Sequence, residues 1–213
     1  SGAFLVSGEA IATAFGALPL LAGDEADGVR VDRTGLLKAE FSLDTFASIL
    51  RAAADALGRP PLPILPLYVG MTRNPTTGSF GVAERVADWV RRHADAATAV
   101  VATGDLVHYG SAYGGAWASD DARSAAALER LLRSEVERAL GLAFAERDWE
   151  QAYRLSNERI RNDQREMLAV LSAYLGEGAS ASVLAFELSD YSKILAAASP
   201  CVVASARVDY RRK

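Results

Sequence analysis

Cysteine is nearly absent from this chain. Cys201 is the only one in 213 residues, so no disulfide can form within it. A lone thiol suits a reducing compartment, and a cytoplasmic location is the expectation; the residue itself is expected to be a small buried side chain. Long apolar runs are also missing. The best candidate, residues 11–22, is shorter than the roughly 18–20 residues that cross a bilayer and is broken by Gly16 and Pro19. No basic stretch precedes it, which argues against a secretory signal, and no membrane partner is expected. Charge of one sign is lacking as well: 23 basic and 27 acidic side chains leave a net −4 with no long block. Phosphate attraction needs a basic face, so nucleic acid is not an expected partner. The cluster Arg91-Arg92-His93 reads as a solvated helix end. Histidine is scarce, with His93 and His108 alone.

What is present can bury a full core: half of the residues are hydrophobic and 23% are charged. The length suits one domain, 1–213, and no repeat or linker composition divides it. Residues 2–6 form a short apolar run that predicts a strand, and residues 9–15 a loop or a turn of helix. The acidic, Gly-containing stretch 24–32 predicts a surface connection. Over residues 40–57, Phe41, Phe46, Ile49, Leu50 and Leu57 recur near one helical face, and Gly58 and Pro60-Pro61 end the pattern. Residues 62–69 predict a buried strand, with Pro66 marking an edge or bulge. Helices are expected over 82–94, 124–140, from 148 onward and over 161–175. Strands are expected at 98–103 (TAVVAT), 181–188 and 201–210. Such alternation predicts an α/β fold: a mainly parallel central sheet with helices on both faces.

Residues 100–110 read VVATGDLVHYG and place a glycine, an acid and a histidine at the end of an expected strand. Ligands of open α/β sheets bind beyond such ends. Asp105 and His108 are three apart, so a helical turn would set both over one pocket. A carboxylate beside an imidazole raises its basicity and fixes its orientation, as an acid–base histidine requires. The plain alternative is a turn-capping Asp105 and a His108 satisfying a buried hydrogen bond.

This segment resembles the signature of Memo-like proteins, Ser-Ser/Gly-Asp-x-x-His-Trp/Tyr-Gly, and the related strand end of class III extradiol ring-cleavage dioxygenases. Residues 39–44 (AEFSLD) are similar to the family's Glu-His-Ser-x-Glu segment at a helix start. Residues 63–70 (PILPLYVG) resemble its following strand, and residues 204–210 its closing strand. The resemblance implies an extradiol-type dioxygenase acting on a catechol- or aminophenol-like aromatic, with His108 as acid/base and Asp105 orienting it. It implies Fe(2+) as cofactor, with Glu40 the one carboxylate nominated as a ligand in this chain. Substrate contacts are expected from Tyr109, Tyr113, Arg161, Asn162 and Tyr191, with Trp117 in the same loop as Tyr113; loop aromatics can equally be simple anchors.

The departures from the family pattern are specific. Phe41 stands where a histidine is usual. Ile160-Arg161-Asn162-Asp163-Gln164 replaces a Cys-Gly-Arg sequence and reads either as a polar wall facing ligand or as a helix-capping region. The family's early His-bearing strand ends have no counterpart, and two histidines cannot build a two-His-one-carboxylate iron site here. The expectation is a fold lacking its first βα units unless a companion subunit or cleavage product supplies them. A Memo-like protein with other redox chemistry, or with a binding or assembly role, is the alternative. Ser1, if a processed terminus, could act as a nucleophile with its own amine, but nothing else here fits that chemistry.

Overall fold

The computed structural model describes residues 2–35, 37, 40–114 and 124–212; Ser1, Ala39 and Trp117 lie outside them. The protein is mixed α/β and forms two compact units, Ser1–Thr103 and Gly104–Lys213.

In the first unit, β1 (Ala3–Val6) pairs in parallel with β4 (Val29–Asp32) and antiparallel with β5 (Leu67–Val69). β2 (Ala10–Thr13) and β3 (Gly16–Pro19) form a separate hairpin, closed by the Thr13 hydroxyl donating to the Gly16 carbonyl at 2.6 Å. The stretch expected to be loop or helical turn is therefore a hairpin, and the expected surface connection ends in β4. Helix α1 (Phe41–Ala56) buries Ala47, with Leu43 and Leu50, against Ile11 and Leu18 of the hairpin. The stripe foreseen through Phe41, Ile49 and Leu57 is instead exposed; the hairpin accepts small and medium side chains from the adjacent face. Helix α2 (Gly81–His93) buries Val86 and Trp89, and the Trp89 indole donates to the Asp24 carbonyl at 3.0 Å. Burial with its one donor satisfied makes Trp89 an anchor of this unit.

In the second unit, β6 (Val107–Tyr109) and β7 (Ser180–Asp190) flank β8 (Val202–Arg211), both antiparallel to it. Helix α3 (Ala125–Leu140) is capped by the Ser124 hydroxyl and packs on β7 through an apolar face of Leu128, Leu132 and Val136. It widens into a π-helical turn at Gly141–Glu146. Helix α4 (Trp149–Arg154), capped by Asp148, also runs into a π turn, Leu155–Arg159. Helix α5 (Met167–Leu175) is buried nearly throughout and ends at Gly176. Tyr210 packs on Phe144 at 5.1 Å between ring centroids, and burial pushes its hydroxyl up to about 12.

Two expectations about the sheet are corrected. Among the described residues one strand pair, β1–β4, is parallel; the other ladders are antiparallel. Strands and helices come in runs, β1 to β4 before α1 and α3 to α5 before β7, and β7 and β8 are joined by a loop with no helix in it, which lets them pair antiparallel. The second correction concerns TAVVAT. Residues 98–103 form no strand, and Val101 is 58% exposed. β-branched composition favours a pleated surface only where a neighbouring strand exists to pair with.

Candidate functional site

The Gly104–His108 segment is held by residues 160–164 through four hydrogen bonds. The His108 backbone amide donates to the Ile160 carbonyl at 2.8 Å, and the Asp163 amide donates to the Asp105 carbonyl at 3.0 Å. Gln164 Nε2 donates to the Gly104 carbonyl at 3.2 Å. His108 Nδ1 lies 2.8 Å from the Arg161 carbonyl oxygen. A carbonyl only accepts, so Nδ1 carries the hydrogen and Nε2 is left as the lone-pair nitrogen of the neutral ring. The π turn makes this possible. It ends at Arg159, Ile160 follows, and Arg161 reverses the chain at φ +52°, which turns its carbonyl toward the imidazole. A non-glycine residue there costs of order 1–3 kcal/mol and persists only where its surroundings enforce it. Asn162, fully buried, caps the next turn by accepting from the Gln164 amide at 2.7 Å. Gly104 adopts φ +152°, and a Cβ there would come within 3.1 Å of Gln164 Cγ.

Nε2 of His108 faces Asp105 Oδ2 at 3.6 Å, beyond hydrogen-bond range. Asp163 Oδ1 lies 3.9 Å from Nδ1. Partial burial pushes the Asp105 carboxyl above its ordinary range; His108 opposes this, and Asp163 adds to it. Tyr113 stands edge-on to the His108 ring at 4.9 Å between centroids. Partial burial raises its hydroxyl, with Cys201, Tyr191 and Asp105 adding to the effect. His108 and Tyr113 open onto a shallow depression of about 490 Å³, lined also by Gly114, Arg161, Asp163 and Arg165. Ligand atoms of Asp105, His108 and Asp163 lie within 4.8 Å of one another, a donor set that suits a divalent cation.

His108, Asp105, Tyr113 and Arg161 thus come together. The route differs from the expected helical turn: Asp105 lies between bends at Gly104 and Leu106, before β6, and its carboxylate comes within 3.6 Å of the His108 ring. Asn162 joins through its cap rather than as a lining side chain. Tyr109 does not join; it is 4% exposed and on the opposite face of β6 from His108, as period-two alternation requires. Tyr191 begins the β7–β8 loop, where Asp190 accepts from the Ser192 amide at 2.8 Å and the Ser199 hydroxyl at 3.1 Å. Glu40 belongs to the other unit and caps α1: its Oε2 accepts from the Ser42 amide at 2.9 Å and the Leu43 amide at 3.2 Å. Cys201 is buried, as expected of it.

Sequence reasoning placed Asp163 in a polar run that could face ligand but did not single out Gly114 or Arg165 as lining residues. Their polar neighbourhood was visible as the dense run at 161–164, but backbone carbonyls as orienting groups leave no mark in side-chain identity. No family model matches the chain, and no match is found among curated proteins.

Proposed function

We propose that His108 is the acid–base group of an extradiol-type ring opening of a catechol- or aminophenol-like aromatic, in a site completed by a companion polypeptide. The observation that carries this reading is the imidazole itself. Its Nδ1 is spent on the Arg161 carbonyl, its Nε2 makes no hydrogen bond among the described residues and lies 3.6 Å from Asp105, and the residue lines an open depression. That is the arrangement a proton-shuttling histidine needs: one nitrogen fixes the tautomer and the other meets substrate. His108 takes the proton of the ring hydroxyl at Nε2 and returns it to the opened product. Asp105 stabilises the imidazolium formed in between.

The residues of this chain do not fit a two-His-one-carboxylate iron site. His93 is the only other histidine, and both its nitrogens are engaged, Nδ1 with the Trp89 carbonyl at 2.9 Å and Nε2 with Asp24 at 2.9 Å. Glu40 spends one oxygen on its cap. Iron(II) with most of its ligands is therefore assigned to the companion. The unpaired TAVVAT segment supports the need for such a partner. A cytoplasmic setting goes with this reading; among the described residues no helix is long and apolar enough to cross a membrane.

A second reading rests on the Asp105–His108–Asp163 grouping; with Nδ1 on the Arg161 carbonyl, the imidazole would offer Nε2 to a divalent cation there. It leads toward the Memo-like alternative of other redox chemistry or a binding role. One nitrogen cannot both ligate a cation and shuttle a proton, so the readings exclude each other. The decisive experiment isolates the chain with its co-purifying partner and measures iron content and oxygen uptake with catechol. His108→Ala should leave iron in place and lower turnover by about 10²–10⁴. Loss of bound metal in that variant overturns the first reading in favour of the second.

A further inference from the structure

Two positive charges line the depression without an acidic partner. Arg161 and Arg165 both belong to its wall. Among the described residues neither guanidinium forms an ion pair, although Asp163 lines the same depression. The acids there face the imidazole instead: Asp105 Oδ2 lies 3.6 Å from Nε2, and Asp163 Oδ1 lies 3.9 Å from Nδ1. Arg165 is anchored by one bond, its Nη1 donating to the Asn162 carbonyl at 3.2 Å, which leaves most of its donors uncommitted. The Arg161 guanidinium makes no hydrogen bond among the described residues and lies against the backbone of Gly114. A Cβ at position 114 would stand 2.6 Å from Arg161 Nη2, so a larger residue there would push the guanidinium off this wall. A lone arginine on a convex surface is ordinary. Two uncompensated guanidinium groups in one concavity concentrate positive potential where a ligand sits. Each is a planar fork whose paired N–H donors match two oxygens of a carboxylate or a phosphate.

We propose that Arg161 and Arg165 form an oxyanion subsite of this depression, so that its ligand carries a carboxylate or a phosphate group beside the part that meets His108. The inference holds under either reading of His108, because it concerns binding and neither proton transfer nor metal ligation. It also gives the guanidinium of Arg161 a role separate from that of its carbonyl, which is spent on the imidazole.

Nitrogen-15 arginine labelling of the full chain follows the Nε–H signals of Arg161 and Arg165, assigned from Arg161→Lys and Arg165→Lys. Benzoate and inorganic phosphate are titrated separately, with sodium chloride at matched ionic strength as the control. At least one of the two anions should shift both signals saturably. Saturation by benzoate alone points to a carboxylate ligand, and saturation by phosphate alone to a phosphate ester. Arg161→Gln and Arg165→Gln should each weaken that binding by about tenfold or more. The lysine variants should recover only part of it, because an ammonium lacks the planar fork. The proposal is overturned if neither anion saturates, if chloride gives the same shifts, if one arginine alone responds, or if the glutamine variants bind like wild type. Should Arg165→Gln fail to fold, Arg161→Gln decides alone, since it keeps the backbone carbonyl that holds His108. Such a failure leaves the ring-opening reading standing, because that reading is judged by oxygen uptake and not by anion binding.

Discussion

The two histidines differ in how their ring nitrogens are engaged. His93 stacks on Trp89 at 3.8 Å between ring centroids and uses both nitrogens, one on a carbonyl and one on Asp24. His108 uses one nitrogen on a carbonyl and leaves the other 3.6 Å from Asp105. Residue type and a nearby aspartate are common to both. The difference is a distance and a direction: a carboxylate at 2.9 Å occupies its nitrogen, whereas one at 3.6 Å only biases it.

The comparison breaks most sharply under alanine substitution in the complex. His108→Ala is expected to lower oxygen uptake by about 10²–10⁴ with little change in melting, and His93→Ala to leave uptake within about threefold. Comparable losses in the two variants would erase the distinction. The next effect is on stability. His93→Ala removes the stack on Trp89 and the Asp24 contact, and should cost about 1–2 kcal/mol in denaturant unfolding of the first unit. Trp89→Ala in the same assay should cost about 3–5 kcal/mol, because a buried indole leaves a cavity. The smallest effect concerns Asp105. Its carboxyl titrates higher in the folded protein than in the unfolded chain, so the native state holds the proton more tightly. Its contribution favours folding at acid pH and is lost as pH rises through the carboxylate range. Asp105→Asn should therefore flatten the dependence of the unfolding midpoint on pH across the carboxylate range and raise it slightly at neutrality, the size limited by exposure of the side chain. A midpoint that falls at neutrality would show the charge to be stabilising.

Periodicity made the helices legible. Ser124 before an apolar stripe of Leu128, Leu132 and Val136 announces α3, and the 3.6-residue recurrence of Val86 and Trp89 announces α2. Alternation likewise gave away β8. Strand partners were not legible, because a strand's composition records burial and not the neighbour that pairs with it. TAVVAT has strand composition and no ladder, while the hairpin of β2 and β3 carries a weak signal and forms one. At the site, Gly104-Asp105 and His108 stood out in sequence. The groups that orient His108 are carbonyls at 160 and 161, which any residue could provide; only the π turn and the left-handed Arg161 put them there.

Among the described residues, the backbone groups of residues 99–103 make no hydrogen bonds, and this stretch ends where the first unit does. Proteases bind their substrates extended, and a peptide without internal bonds meets that demand at no unfolding cost. Limited digestion of the native chain should therefore nick this seam early, parting the His93 half from the His108 half, and a ligand that shields the seam would announce itself as resistance to the enzyme.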